Sequence, residues 1–284
     1  MDLTSPRTIR NIQEQFGFTF KKGLGQNFLT ARNILEEIVD AAEIESGVIE
    51  VGPGFGVLTS ELAQNSDKVV TIEIDERLID VLDYTLAEYD NVKIINEDIL
   101  KLDLKKVIDD EFKGEKVSIA ANLPYYITTP IITKLLEEKL PIKNIVVMVQ
   151  KEVAERMSAK PSTKDYGAIT VLCQYYTEPS IVANVPASLF VPPPKVDSAV
   201  LKLKVLDKPS VEVKDEGVFF RVVKAAFSQR RKTLLNCLSA NFAIPKDEIS
   251  TLLESIGIAP SRRGETLSLK EFANIADTLL QKIK

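Results

Sequence analysis

The sequence predicts an α/β protein: a doubly wound, mostly parallel sheet with an antiparallel edge strand, followed by a small C-terminal helical domain. Three observations lead to this prediction. Short runs rich in Val and Ile alternate with amphipathic stretches between residues 33 and 150. A glycine-rich turn follows the first run, and helical patterns take over after about residue 207. We therefore expect two domains, 1–206 and 207–284.

Five apolar runs have the length and composition of strands that are buried on both faces of a sheet. They are Gly47–Val51, Lys68–Ile74, Val92–Ile95, Val117–Ala121 and Ile145–Val149. Helical patterns lie around them at Asn33–Ala42, Asp75–Tyr89 and Thr128–Lys139. The second begins with acidic residues and the third with Thr and an early proline, both typical of a helix start. This alternation predicts parallel strands joined by helical crossovers.

Residues 177–206 differ from this pattern. Ile181–Val185 and Ser198–Val205 are predicted strands, and the stiff proline-rich segment Val191–Lys195 joins them. Such a pair is expected to close the sheet with an antiparallel edge. The later patterns predict a small helical domain with helices at Val218–Leu238, Lys246–Ile256 and Leu269–Ile283.

The composition is that of an ordinary globular protein, with 45% hydrophobic and 27% charged residues among 284. No stretch reaches the ~20 apolar residues of a membrane span, and residues 1–10 lack the apolar core of a signal peptide. We therefore expect a cytoplasmic protein that does not bind a membrane. Cys173 and Cys237 lie in apolar company and are expected to be reduced core residues.

Histidine is absent from the chain. With two separate cysteines and no histidine, the usual zinc sites and both Ser–His and Cys–His catalysis are excluded. We therefore expect no metal, and we expect chemistry that runs without a side chain titrating near neutral pH.

Charge is distributed unevenly along the chain. The net charge is −5, but residues 207–284 carry 13 basic and 10 acidic side chains, while residues 1–206 sum to −8. A basic C-terminal part on an acidic body fits contact with phosphates from one face. Ordinary scatter of surface charge is the other interpretation of so small a difference.

The turn Gly52-Pro-Gly-Phe-Gly56 follows the first predicted strand. It lacks the spacing of a dinucleotide-binding turn and the lysine of a P-loop, yet its glycines let a nucleoside approach the backbone. Glu73 ends the next strand, about twenty residues on, where an acid accepts hydrogen bonds from ribose hydroxyls. Asp98, after the third strand, could accept the exocyclic amine of an adenine. Helix capping or simple solvation is the alternative for each acid.

The segment Asn122-Leu-Pro-Tyr-Tyr126 follows the fourth predicted strand. It places an amide, a proline-stiffened turn and two aromatic rings at the carboxyl edge of the sheet, where open α/β sheets bind ligands. Together with the glycine turn, it predicts one site for a nucleoside cofactor and a flat planar substrate.

In these motifs the chain resembles the S-adenosylmethionine-dependent methyltransferases, and in particular the ribosomal RNA adenine dimethyltransferases, the family named for the kasugamycin resistance that follows its loss. The matching segments span nearly the whole chain. They are residues 25–29, 50–54, 73–75, 97–98, 122–126, 190–198, 226–232 and 263–272. The resemblance implies a Rossmann-like class I methyltransferase fold and S-adenosylmethionine as cofactor. It places cofactor contacts at Gln26, Asn27, Leu29, Gly52, Gly54, Glu73, Asp98 and Asn122.

The resemblance also implies the substrate: two adjacent adenosines in the 3′-terminal hairpin loop of 16S ribosomal RNA in the 30S particle. Each would become N6,N6-dimethyladenosine during small-subunit biogenesis. We expect a monomer. In our hypothesis the Asn122 side-chain oxygen and the Leu123 carbonyl accept the two N6 hydrogens, and Pro124 holds that carbonyl at a fixed angle.

Aromatic residues are expected to hold the extruded base. Tyr125 is predicted to stack on the adenine, with Phe190 as the candidate for its other face. Core packing at the sheet edge is the alternative, and it suits Tyr126 better than Tyr125.

Phosphate contacts are predicted in the C-terminal domain. The residues are Arg221, Lys224, Arg230, Arg231 and Lys232. Arg262 and Arg263 are further candidates, but for them a solvated helix face is nearly as good an interpretation as a phosphate contact.

Three other functions compete with this prediction. The macrolide-resistance branch methylates one adenosine of 23S ribosomal RNA and shares the cofactor motifs, but the match at 263–272 favours the small-subunit branch. DNA adenine methyltransferases typically carry Asp or Asn followed by Pro-Pro-Tyr, and Leu123, in place of the first proline, argues against them. A non-enzymatic RNA-binding factor would be expected to lose Glu73, Asp98 or Asn122.

Overall fold

A computed structural model describes residues 1–17 and 27–283. The chain forms two compact units. The first comprises Met1–Ala154 and Glu178–Val205, and the second comprises Glu155–Thr177 and the chain from Leu206 onward. The sequence-based division after residue 206 lies one residue beyond the end of the first unit. It also placed residues 155–177 in the first domain, whereas they belong to the second unit.

The first unit is built on a seven-stranded sheet of order β4-β3-β2-β5-β6-β9-β7. Its strands are β2 (Val48–Val51), β3 (Val69–Glu73), β4 (Val92–Asn96), β5 (Val117–Asn122), β6 (Ile142–Gln150), β7 (Thr177–Val185) and β9 (Ser198–Val205). A separate two-stranded antiparallel pair joins β1 (Phe28–Leu29) to β8 (Phe190–Val191). Strands β2 to β6 are parallel, and β9 runs antiparallel to β6. The predicted doubly wound sheet with an antiparallel edge is confirmed.

Helices accompany the strands of this unit. They are α1 (Pro6–Phe16), α2 (Arg32–Ala42), α3 (Val57–Gln64), α4 (Ile79–Thr85), α5 (Leu104–Phe112) and α6 (Thr128–Glu137), and α7 (Lys151–Met157) follows β6. The helix predicted at Asp75–Tyr89 is shorter than expected. A 3₁₀ turn at Glu76–Leu78 precedes α4, because the Asp75 side chain accepts from the Arg77 backbone N–H and starts a tighter turn.

Burial of apolar side chains holds the parallel strands against their helices. All four residues of β2 are buried, and Ile38 on α2 and Leu62 on α3 are fully buried. Each such side chain contributes roughly 1.5–3 kcal/mol on leaving water. Because these strands are parallel, their carboxyl ends lie together along one edge of the sheet.

The second unit is helical. Its helices are α8 (Ala168–Tyr176), α9 (Glu216–Ala226), α10 (Leu234–Phe242), α11 (Lys246–Ser255) and α12 (Leu269–Ile283). The expectation of one helix over Val218–Leu238 is wrong, because residues 227–233 form turns between α9 and α10. Residues 229–232 are polar and exposed, so breaking the helix there costs no apolar burial, and the Thr233 side chain caps α10.

Both cysteines are free and buried, as predicted for core residues. Burial alone raises the pKa of Cys173 to about 12, so its thiol is protonated at neutral pH. Among the helices of the described residues, none is long and apolar enough to cross a membrane.

Candidate active site

A cavity of about 1160 Å³, counted with its open mouth, lies at the carboxyl ends of β2, β3 and β5. Ten residues chosen from the sequence line it. They are Asn27, Leu29, Gly52, Gly54, Glu73, Asp98, Asn122, Leu123, Pro124 and Tyr125. Gln26 lies outside the described residues.

The glycine turn brings bare backbone to the cavity wall. Gly52 has φ 72°, and a Cβ built on it would meet no atom within 4 Å. Gly54 has φ 60°, and a Cβ there would lie 2.8 Å from Cε1 of Phe28. Phe28 in turn stacks on Phe55 with ring centroids 4.3 Å apart. The turn therefore needs glycine at 54 for packing and offers open space at 52 for a ligand.

Glu73 is the last residue of β3, and only 5% of it is exposed. Its Oε1 accepts the Asp75 backbone N–H at 2.8 Å. Burial raises the pKa of Glu73, while hydrogen bonds from the backbone N–H groups of Asp75 and Gly54 oppose the shift. A carboxyl group fixed in this way can accept hydroxyl hydrogens from a ligand in the cavity.

Asp98 follows β4 and combines a local role with a place on the cavity wall. Its Oδ1 accepts the Leu100 backbone N–H at 2.9 Å, and its Oδ2 lies 3.8 Å from the Lys101 ammonium. The turn-stabilising role that competed with ligand binding is thus present. The residue nevertheless lines the cavity, so the two roles coexist.

Asn122 ends β5 with its amide group held in a defined orientation. Its Nδ2 donates to the backbone oxygen of Asn27 at 3.1 Å. The backbone N–H of Leu123 donates to the Met148 oxygen at 3.1 Å, which extends the β5–β6 ladder by one residue. The Asn122 amide is therefore fixed at its donor end, and its other end is the acceptor Oδ1.

Tyr125 and Tyr126 differ in burial, and the difference is the opposite of the one expected. Tyr126 is 59% exposed at the cavity, so the interpretation that it packs in the core is wrong. Tyr125 is half-buried, and its hydroxyl shares a 2.8 Å hydrogen bond with Ser198 Oγ. Burial raises the pKa of Tyr125, and the bond to Ser198 opposes the shift. The turn after β5 directs one ring inward and the next outward.

Phe190 does not occupy the place expected for it. It is 3% exposed, pairs with Leu29 in the β1–β8 ladder and belongs to the hydrophobic core. It is not among the described residues that line the cavity. Since a stacking base needs an open ring face, the structure gives the proposed second face no support.

Glu50 and Ile74 also line the cavity, and sequence reasoning assigned a role to neither. Glu50 in β2 is 1% exposed, and its Oε2 accepts the Thr59 hydroxyl at 2.5 Å. Burial raises the pKa of Glu50 to about 8, with a further rise from the charge of Glu73. Ile74 is 55% exposed next to Glu73. Two signals could have found them: an acid inside a fully buried strand, and an apolar residue between two acids at a strand end.

The five cations predicted to contact RNA are all exposed in the second unit. Two of them also serve the fold. The Arg221 guanidinium lies 4.3 Å from the centroid of the Phe242 ring and donates to the Asn241 oxygen, and Arg230 donates to the Lys164 oxygen. We refer to Arg221, Lys224, Arg230, Arg231 and Lys232 as the basic surface.

Arg262 is a structural residue. It is partly buried, forms an ion pair with Glu271 and donates to the Thr266 backbone oxygen at 2.6 Å. Arg263 is more exposed and lies 4.0 Å from Glu265. Within the described residues, no group of three or more carboxylate or thiol side chains is placed to hold a metal ion.

This combination of sheet and cavity is that of the S-adenosylmethionine-dependent α/β methyltransferases. Among solved structures, a dimethyladenosine transferase from Plasmodium falciparum superimposes with a TM-score of 0.73 at 30% identity, covering 87% of this chain and 95% of that one. The 23S rRNA methyltransferase ErmE gives a TM-score of 0.68 at 27% identity, covering 89% of this chain and 100% of its own.

Sequence comparisons identify the family. The model of the family described as ribosomal RNA adenine dimethylase matches residues 17–281. The ribosomal RNA small subunit methyltransferase A of Bacillus mycoides is 54% identical over 285 residues, 98% of each chain. The chain belongs to the ribosomal RNA adenine dimethylase family. It is an S-adenosylmethionine-dependent methyltransferase.

Proposed function

We propose that this protein dimethylates N6 of two adjacent adenosines in the 3′-terminal hairpin loop of 16S ribosomal RNA, within the 30S particle. The observation that carries the proposal is the Asn122 amide, held by Asn27 on the wall of the same cavity that Gly52, Glu73 and Asp98 line. The relative named for the small subunit supports the choice of ribosomal RNA. Since ribosomes are the substrate in this proposal, the enzyme would act in the cytoplasm.

The wall of the cavity fits the cofactor. Gly52 leaves open space in which the cofactor can lie close to the backbone, and the buried Glu73 carboxyl accepts hydrogen bonds from the ribose hydroxyls. The exposed Ile74 offers an apolar surface to the cofactor's adenine, and Asp98 accepts a hydrogen bond from the exocyclic amine of that adenine. When bound, S-adenosylmethionine supplies an electrophilic methyl group.

The substrate amine needs activation because its lone pair is delocalised into the purine ring. Asn122 Oδ1 and the Leu123 carbonyl accept the two N6 hydrogens and favour a more tetrahedral nitrogen. Pro124 follows Leu123 and, with its fixed φ, restricts the angle of that carbonyl. The lone pair is thereby freed to point along the line of attack.

These hydrogen bonds strengthen as the nitrogen becomes cationic, so they stabilise the transition state more than the ground state. With the cofactor bound, the nitrogen lone pair would form the new C–N bond as the methyl–sulfur bond breaks and leaves its electron pair on the sulfur. The alkylated nitrogen would then lose one proton to solvent. No general base is required, which agrees with a chain that lacks histidine. Tyr125, on the cavity wall, stacks on the extruded base and contributes roughly 1–3 kcal/mol.

The basic surface binds RNA phosphates. Lys224 and Arg221 are three residues apart on α9, so they share an exposed helix face, and Arg230, Arg231 and Lys232 follow in the next turn. Such contacts set the position of the RNA and carry no base specificity.

Methylation of 23S ribosomal RNA is the second candidate, favoured by the similarity to ErmE. The higher identity to a small-subunit methyltransferase argues for 16S. A single experiment distinguishes them: labelled S-adenosylmethionine is incubated with under-methylated 30S particles, 50S particles and naked 16S RNA, and the modified nucleotides are mapped. We expect two dimethylated adenosines in the 3′-terminal loop of the 30S particle. Label confined to 50S particles, or macrolide resistance on expression, would favour the second candidate.

A further inference from the structure

The ring of Tyr125 is tied to a residue far away in the sequence. Its hydroxyl and the Ser198 hydroxyl lie 2.8 Å apart, and Ser198 is fully buried. Tyr125 lies in the turn after β5, whereas Ser198 is the first residue of β9. The hydrogen bond therefore joins the cavity wall to the antiparallel part of the sheet.

Ser198 is a rigid anchor for this bond. It pairs with Gln150 at the end of the β6–β9 ladder. The preceding residue, Asp197, is held twice: its backbone oxygen accepts the Lys151 N–H at 3.0 Å, and its Oδ1 accepts the Ala187 N–H at 2.9 Å. The backbone that carries the serine side chain is thus held at residues 197 and 198.

The other end of the bond is less constrained. A tyrosine ring turns about two side-chain torsions, and Tyr125 is only half-buried. The backbone of its turn is fixed, because the Pro124 oxygen accepts from the Ile127 N–H and from the Thr128 hydroxyl, both at 3.2 Å. The bond to Ser198 holds the hydroxyl end of the ring, and so the direction in which the side chain extends.

We propose that Ser198 is a positioning residue that holds the side chain of Tyr125 in one direction, and with it the place at which the cavity receives a flat base. The inference rests on the proposed function in that Tyr125 stacks on the target adenine. It explains why a tyrosine, and not a phenylalanine, stands at a stacking position. The tyrosine hydroxyl is the group through which a sheet residue holds the ring.

A displaced ring misaligns N6 with the incoming methyl group, whereas the phosphate contacts remain. Removal of the bond should therefore lower kcat and leave the KM for RNA nearly unchanged. One hydrogen bond of this kind corresponds to a reduction of about 2- to 10-fold. A serine that merely supports the fold would instead lower stability without a selective effect on kcat.

The test is a double-mutant cycle with Ser198→Ala, Tyr125→Phe and the double variant, assayed on 30S particles. In both single variants kcat should fall by about the same factor, and in the double variant it should fall no further than in either. Ser118→Ala is the matched control. Ser118 is also buried, in the first half of β5, and donates to the Ala42 backbone oxygen at 2.6 Å. This control should be less stable and keep its kcat.

Multiplied effects in the double variant, or full kcat in Tyr125→Phe beside a reduced kcat in Ser198→Ala, would overturn the proposal. A crystal structure of Ser198→Ala supplies a readout that does not depend on the substrate. The Tyr125 ring should there occupy a different or a second orientation, and an unchanged single orientation would refute the positioning role. Wild-type enzyme that leaves 30S particles unmethylated would contradict the proposed function, not the ring geometry.

Discussion

Asn122 Nδ2 donates to the backbone oxygen of Asn27, across 95 residues of sequence. The bond settles which end of the amide acts as donor, so that Oδ1 is the end left to accept from a substrate amine. It also ties Asn27, the residue next to β1, to the carboxyl end of β5. One hydrogen bond thus links the part of the wall expected to hold the cofactor with the residue expected to activate the substrate.

Replacement of Asn122 tests that relationship. Asn122→Ala should lower methyl transfer by about 10²- to 10³-fold, the usual cost of removing one hydrogen-bonding group that acts in a transition state. Cofactor affinity should stay within an order of magnitude, measured by calorimetric titration with S-adenosylmethionine. Normal methylation by this variant would disprove the mechanism.

Alanine at the two glycines of the turn should have separable effects. Both positions have positive φ, so each substitution should cost about 1–2 kcal/mol in backbone strain. Gly54→Ala also forces its Cβ to within 2.8 Å of Phe28 and should unfold at the lower temperature of the two. Gly52→Ala meets no protein atom but projects into ligand space, so it should weaken cofactor binding. Thermal unfolding and cofactor titration of both variants check this, and equal behaviour would contradict it.

The stacking role of Tyr125 predicts a graded series. Tyr125→Phe keeps the aromatic face and lacks the bond to Ser198, whereas Tyr125→Ala lacks both. The alanine variant should therefore be the less active of the two, by the additional 1–3 kcal/mol or so of base stacking. Single-turnover rates on 30S particles measure the difference. Equal rates in the two variants would argue against stacking.

Neutralising the basic surface should weaken RNA binding and its dependence on salt. Replacing Arg230, Arg231 and Lys232 by glutamine should reduce the slope of log affinity against log salt by about 0.7 for each phosphate of single-stranded RNA that is no longer neutralised. Lys105→Gln and Lys106→Gln, on the exposed face of α5, are the controls and should leave the slope unchanged. An unaltered slope in the triple variant would refute the assignment.

Glu50 makes stability depend on pH in a defined direction. Burial raises its pKa from 4.5 to about 8, so between these values the folded protein binds a proton that the unfolded chain releases. The contribution of the protonated Glu50 to the free energy of unfolding is fully present below pH 4.5 and is lost as pH rises towards 8. The difference in unfolding free energy between wild type and Glu50→Gln should therefore shift against the wild type across this window and level off above it. Denaturant titrations at several pH values measure this, and a constant difference would contradict a raised pKa.

The sequence by itself determined the parallel core, its antiparallel edge and ten residues of the cavity wall. Strands buried on both faces must be apolar runs, and ligand groups must follow them at their carboxyl ends. The acids Glu73 and Asp98, the glycine turn and Asn122 could be found for that reason, since each is local to a strand end.

Tertiary structure decided what depends on partners distant in the chain. The break between α9 and α10, the inclusion of residues 155–177 in the C-terminal unit, the outward Tyr126 and the core position of Phe190 all follow from which surfaces are buried together. The Tyr125–Ser198 bond joins residues 73 positions apart. The periodicity of the sequence indicates which side chains are removed from water, but only the packed chain determines which atoms come into contact. Burial depends on the apolar area that is covered, whereas a hydrogen bond requires two particular atoms at a defined distance and angle.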